Sequence, residues 1–61
     1  MFHYVTDALN GAKVAINSDL VVAVFIVPDG EHQGKTSINL SNGNILVQES
    51  DIELVALFNG S

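Results

Sequence analysis

The chain has no cysteine, no tryptophan and no arginine, and a single proline among its 61 residues. Without cysteine, disulfides and thiolate zinc sites are excluded as staples. Without arginine, and with Lys13 and Lys35 as the only lysines, there is no basic cluster of the kind that holds phosphate backbones or anionic membrane surfaces. Seven carboxylates against two lysines give a net charge of −5, which argues further against nucleic acid without excluding a few bases in a locally uncharged groove. Two histidines are too few for a histidine-only metal site. The first residues, Met1 to Asp7, lack the basic and apolar regions of a secretory signal. The expectation is a cytoplasmic protein with no membrane association.

A chain of this length forms one domain, residues 1–61, and buries only about 60 % of its unfolded surface. Small scaffolds of this kind add disulfides, a metal or a partner subunit. With the first two removed, a homo-oligomer is expected.

What the chain has instead is apolar runs. Leu20 to Val27 is uninterrupted and β-branched, closed by Pro28-Asp29-Gly30. It is too short to span a bilayer and reads as a strand buried on both faces. Phe2–Thr6, Ala12–Ile16, Thr36–Leu40 and Asn44–Gln48 alternate as half-buried strands, with Val14, Ile16, Ile38 and Leu40 inward and Lys13 outward. Asn10-Gly11 and Asn42-Gly43 are hairpin signals. The segment 28–35 is the one long polar loop.

The two halves echo one another. Asn10-Gly11 and Ser18-Asp19 recur 32 residues later as Asn42-Gly43 and Ser50-Asp51, each Ser-Asp preceding an apolar run. The run Ile52–Phe58 has two readings. Ser50 and Glu53 have capping-box spacing and Asn59-Gly60 suits a helix end. The nearly unbroken apolar character and the echo favour a strand, and the strand reading is preferred.

The resulting fold class is all-β: a small five- to six-stranded bent sheet or barrel, with strands near 2–6, 12–16, 20–27, 36–41, 44–48 and 52–58, the last with the helix alternative. Pairing edge strands between subunits would hide both the edges and the second apolar face. The outer positions of the two long runs, Val21, Ala23, Phe25, Val27, Val55 and Leu57, are the expected oligomer interface.

No constellation points to chemistry. Gly34-Lys35-Thr36 resembles the end of a phosphate loop, but the glycine needed at position 29 is Asp29, and Thr36–Leu40 alternates as a strand where a helix is required. Asp29, Glu31 and His32 match no established metal spacing. Ser18-Asp19 and Ser50-Asp51 are accounted for as turn formers, and no general base accompanies them. Phe2, Tyr4, Phe25 and Phe58 are expected in the core rather than as base-stacking platforms, because no cation flanks them in sequence. The chain is expected to be non-enzymatic, with no cofactor and no metal.

Two resemblances follow from these segments. Ile16-Asn17-Ser18-Asp19-Leu20-Val21, Ile38-Asn39-Leu40-Ser41-Asn42-Gly43 and Val47-Gln48-Glu49-Ser50 resemble the strand entry, hairpin and exit of a family of very small flagellar and swarming-motility proteins; similar short chains occur among phage proteins. This chain differs by its loop at 28–35 and by Gln48 where that family has lysine. The architecture resembles the SH3-like and Sm/LSM-like small barrels, of which the Sm-like members assemble into rings by edge pairing and bind RNA. That resemblance implies an oligomeric fold, while the Sm sequence motifs for RNA contact are absent. The functional expectation is an oligomeric small β-barrel acting through an unidentified protein partner, with an Sm-like ring binding single-stranded RNA as the alternative.

Overall fold

The computed structural model describes residues 1–60. Alternation in the first third of the chain becomes an antiparallel hairpin of β1 (Phe2–Thr6) and β2 (Lys13–Asn17). The loop between them is longer than the Asn10-Gly11 signal implies. Asp7 accepts the N–H of Gly11 at 2.9 Å on its carbonyl, and its Oδ1 accepts those of Leu9 at 2.7 Å and Asn10 at 3.3 Å. Asn10 Oδ1 in turn accepts from Ala12 N–H at 2.9 Å. Gly11, at φ +75°, supplies the left-handed residue that closes the loop.

A one-turn 3-10 helix, Ser18–Leu20, follows, capped by Asn17. It takes the first residue of the expected long strand and delivers β3 (Val21–Ile26) to a new sheet with β4 (Thr36–Leu40) and β5 (Gly43–Val47), in the order β3-β4-β5. The register Leu40↔Gly43 places Ser41-Asn42 at the second hairpin turn, one residue earlier than Asn42-Gly43 suggests.

Backbone pairing joins the two sheets at one place. An isolated bridge joins Asp7 to Val47, flanked by Ala8 N–H to the Leu46 carbonyl at 2.9 Å and Gln48 N–H to the Thr6 carbonyl at 2.8 Å. The bridge joins the end of β1 to the end of β5, and the strands otherwise remain in two sheets, β1-β2 and β3-β4-β5. Among the described residues no ladder closes the strands into a ring, so of the two expected forms, bent sheet or barrel, the closed barrel does not form.

The expected last strand is also corrected. Residues Asp51–Asn59 form a helix, α1. Ser50 Oγ accepts the Glu53 N–H at 3.1 Å while Glu53 Oε1 accepts the Ser50 N–H at 3.4 Å, the reciprocal capping box whose spacing the sequence carries. Leu54, Ala56 and Leu57 are good helix formers, and Gly60 N–H bonds the Ala56 carbonyl at 3.0 Å at the end. The domain is thus a strand-rich fold of two antiparallel sheets with one short C-terminal helix.

Val5, Ile16, Ile38, Val47 and Leu54 form the core, one side chain from each of β1, β2, β4, β5 and α1. Val14, Val21, Val24, Leu40, Ile45 and Phe58 pack around it. Phe58 also meets the His3 ring edge-on, with centroids 5.7 Å apart, so α1 touches both β1 and β3.

Candidate interaction surface

The small core leaves much apolar surface outside. Five hydrophobic side chains are buried, while eleven large ones among the described residues are exposed. Phe2 and Tyr4 share one face, and Val22 and Val55 border another.

The first is the outer face of the β1–β2 hairpin. His3 and Val5 point inward, so Phe2 and Tyr4 point out, 68 % and 74 % exposed. The register sets Phe2 opposite Asn17, Tyr4 opposite Ala15 and Thr6 opposite Lys13. Alanine and asparagine are too small to cover the rings. The expectation that Phe2, Tyr4 and Phe25 lie in the core is therefore wrong; Phe25 is 41 % exposed and only Phe58 packs on the core.

The second face is the flank formed by β3 and α1. The β3–β4 register slips between Val21 and Ala23, leaving Val22 as a bulge. The bulge breaks the alternation assumed for Val21, Ala23, Phe25 and Val27. Val21 turns inward with Val24 against the core, whereas Ala23 and Phe25 lie opposite Asn39 and Ser37 on the other side of the sheet. Val27 is past the strand, half-buried, donating its N–H to Lys35 at 2.9 Å and accepting from Gly34 at 3.0 Å. Val55 and Leu57, the helical members of the expected interface, are exposed. Val22 and Ile52, which the sequence reading did not single out, are the most exposed aliphatic residues of this flank, at 72 % and 78 %. Between β3 and α1 runs an open groove of about 400 Å³, lined by Val21, Val22, Ala23, Val24, Val55 and Phe58, with Ser18, Asp19 and Asn59 as its polar wall.

Polar side chains beside these faces are engaged in holding the fold. Glu49 spans the junction of the sheets: its Oε1 accepts the Thr6 N–H at 2.9 Å and its Oε2 the Thr6 hydroxyl at 3.0 Å, while Lys13 Nζ donates to the same hydroxyl at 3.0 Å. Partial burial pushes the Glu49 carboxyl up. The backbone N–H of Thr6, its own backbone, the Thr6 hydroxyl and the charge of Lys13 outweigh that and hold it below its ordinary value. Ser18 Oγ donates to the Met1 carbonyl at 3.0 Å, and Asp19 lies 3.6 Å from the N-terminal ammonium. Among the described residues no group of three or more histidine, cysteine or acidic side chains is placed to hold a metal. Asp29, Glu31 and His32 sit in the polar loop and do not converge on such a site. Among the same residues no helix is long and apolar enough to cross a membrane.

No protein-family model, curated protein or solved structure matches the chain.

Proposed function

We propose that this chain is a non-enzymatic, cytoplasmic interaction module that self-associates and works through protein–protein contact. The observation that carries the reading is the excess of exposed over buried large hydrophobics in a chain too short to cover them itself. Covering one such side chain is worth about 1.5–3 kcal/mol before the costs of association. The sheet edges, β2 and β3 among them, add unpaired backbone that a subunit contact would satisfy. In this reading the bent strand order is an opened relative of the SH3-like and Sm-like small barrels. An accessory role like that of the small motility and phage proteins it resembles is compatible with it.

The groove favours binding over catalysis. Ser18 and Asp19 are the serine and acid on its wall, both have structural partners, and no base stands beside them. Light scattering and sedimentation at micromolar concentration test the reading. An assembly larger than one chain is expected, and a monomer throughout the range rules self-association out.

One observation favours the Sm-like, RNA-binding alternative: Phe2 and Tyr4 stand exposed side by side on the face that also carries Lys13. Base stacking on such rings contributes about 1–3 kcal/mol per base. The net charge of −5 opposes it through phosphate repulsion. Fluorescence anisotropy with poly-U and poly-A oligonucleotides at low salt separates the two. No change at tens of micromolar leaves the protein-contact reading alone.

A further inference from the structure

We propose that Asn42-Gly43 is a modification site: in the folded chain Asn42 deamidates spontaneously, ahead of the other two Asn-Gly pairs, and its isoaspartate product lengthens the turn between β4 and β5. The inference is independent of the self-association reading above.

The sequence holds Asn-Gly at Asn10-Gly11, Asn42-Gly43 and Asn59-Gly60. Glycine has no Cβ to block the approach of its backbone nitrogen to the preceding side chain. At Asn42 the Gly43 nitrogen bonds to Cγ and the Cγ–Nδ2 bond breaks. Nδ2 takes up the proton lost from the Gly43 nitrogen and leaves as ammonia. Water then opens the succinimide ring. If it breaks the bond from nitrogen to Cγ, the residue becomes aspartate. If it breaks the bond from nitrogen to the backbone carbonyl carbon, the chain runs on through Cβ and Cγ as isoaspartate. Either product adds one negative charge to the net −5.

The fold sets the order among the three. To react, an asparagine side chain must swing onto the nitrogen of the next residue. Asn10 Oδ1 accepts the Ala12 N–H at 2.9 Å, and the Asn10 N–H donates to Asp7 Oδ1 at 3.3 Å. That side chain is committed, and the Asp7 carboxylate opposes the negative charge that gathers on the Gly11 nitrogen. Asn59 ends α1, where side chains lean toward the helix N-terminus and so away from the Gly60 nitrogen. A Cβ at Gly60 would stand 3.0 Å from the Ala56 carbonyl oxygen, which leaves little room there. Asn42 has none of these restraints. It is exposed in its turn, and its side chain makes no hydrogen bond among the described residues. Nothing lies within 4 Å of where a Gly43 Cβ would stand. The consequence falls on a tight connection. Only Ser41 and Asn42 join Leu40 to Gly43, and the Ser41 N–H bonds the Leu20 carbonyl at 3.0 Å. Loop length fixes the register of such a hairpin, and isoaspartate inserts one more backbone atom. The misfit passes to β4, whose Thr36, Ser37 and Ile38 are buried.

Ageing the full chain at mildly alkaline pH, natively and in concentrated urea, tests the proposal. Trypsin cuts after Lys13 and Lys35, so Asn10 falls on one peptide and Asn42 and Asn59 on another. Electron-transfer fragmentation then reads the gain of about 1 Da at each site and tells isoaspartate from aspartate. In the native chain Asn42 should convert about tenfold faster than Asn10, the rate factor for one net hydrogen bond that must first break, and also ahead of Asn59. In urea the three should converge. The site assignment fails if Asn10 or Asn59 leads in the native chain, or if Asn42 keeps its amide there while converting in urea. It fails equally if the order in urea is the same. Urea unfolding tests the consequence. The aged parent should gain an earlier transition, absent from aged Asn42→Gln, whose longer side chain closes a ring far more slowly. Fresh Asn42→Asp carries the charge without the extra backbone atom and should unfold with the fresh parent. An aged parent that unfolds like the fresh one, or Asn42→Asp that unfolds as early as the aged parent, overturns the lengthened turn.

Discussion

Two apolar runs in this chain begin alike and end in different structures. Val21–Ile26 and Ile52–Phe58 each follow a hairpin and a Ser-Asp pair, at the same spacing of 32 residues. Helical geometry starts at both Ser-Asp sites, as a single 3-10 turn at Ser18–Leu20 and as α1 at Asp51. The third position after the serine separates them. In α1 it is Glu53, whose carboxylate returns to the Ser50 N–H. In the first run it is Val21, which has nothing to return. The β-branched Val21, Val22, Val24 and Ile26 then favour extended backbone, whereas Leu54, Ala56 and Leu57 favour helix. Hydrophobicity alone therefore does not choose between strand and helix here; one capping side chain and the branching at Cβ do.

The comparison extends to burial, and substitutions can break it at matched positions. Leu54 and Val22 correspond in the echo, one fully buried and the other 72 % exposed. Leu54→Ala should cost about 2–5 kcal/mol in urea unfolding, enough to leave little folded protein in so small a domain. Glu49→Gln tests the joint between the two hairpins. It weakens a charge-assisted pair of bonds to Thr6 and should lower stability by about 1–2 kcal/mol. The sign with pH follows from the depressed Glu49 carboxyl. Its contribution is fully present above the ordinary carboxylate range and disappears as pH falls through the folded-state value. The parent should therefore lose stability on acidification, and the Gln variant should lose less; parallel pH profiles of the unfolding midpoint would contradict this. Ser50→Ala removes the capping hydroxyl and should cost about 1 kcal/mol, read as reduced helical signal and an earlier melt. Val22→Ala, at an exposed position, should change the unfolding free energy in urea by less than about 0.5 kcal/mol.

The β1–β2 hairpin shows how much more was legible than the residue types suggest. Aromatic residues draw an assignment to the core, yet Lys13 must face solvent, and cross-strand partners share a face. Pairing about Asn10-Gly11, or about the observed Ala8–Gly11 loop, puts Thr6, Tyr4 and Phe2 on the side of Lys13 in either case. The exposed rings thus follow from one lysine and a hairpin. The displacement of Val22 does not follow from any local signal. A bulge in an unbroken apolar run arises where β3 must pair with β4 after the 3-10 turn, a demand set by a strand some fifteen residues away.

Local chemistry written in the chain accounts for the two hairpins, the capped start of α1, the absence of covalent staples and the surplus of apolar side chains. Each of these depends on neighbours within a few residues or on composition. The separation into two sheets, the packing of α1 against β1 and β3, and the groove beside Val22 depend on how elements meet at long range. Those contacts are non-directional and nearly equal in chemistry for any aliphatic pair. Leu20–Val27 is therefore not one uniformly buried strand: Val21 and Val24 pack against the core, and Val22 is left in solvent.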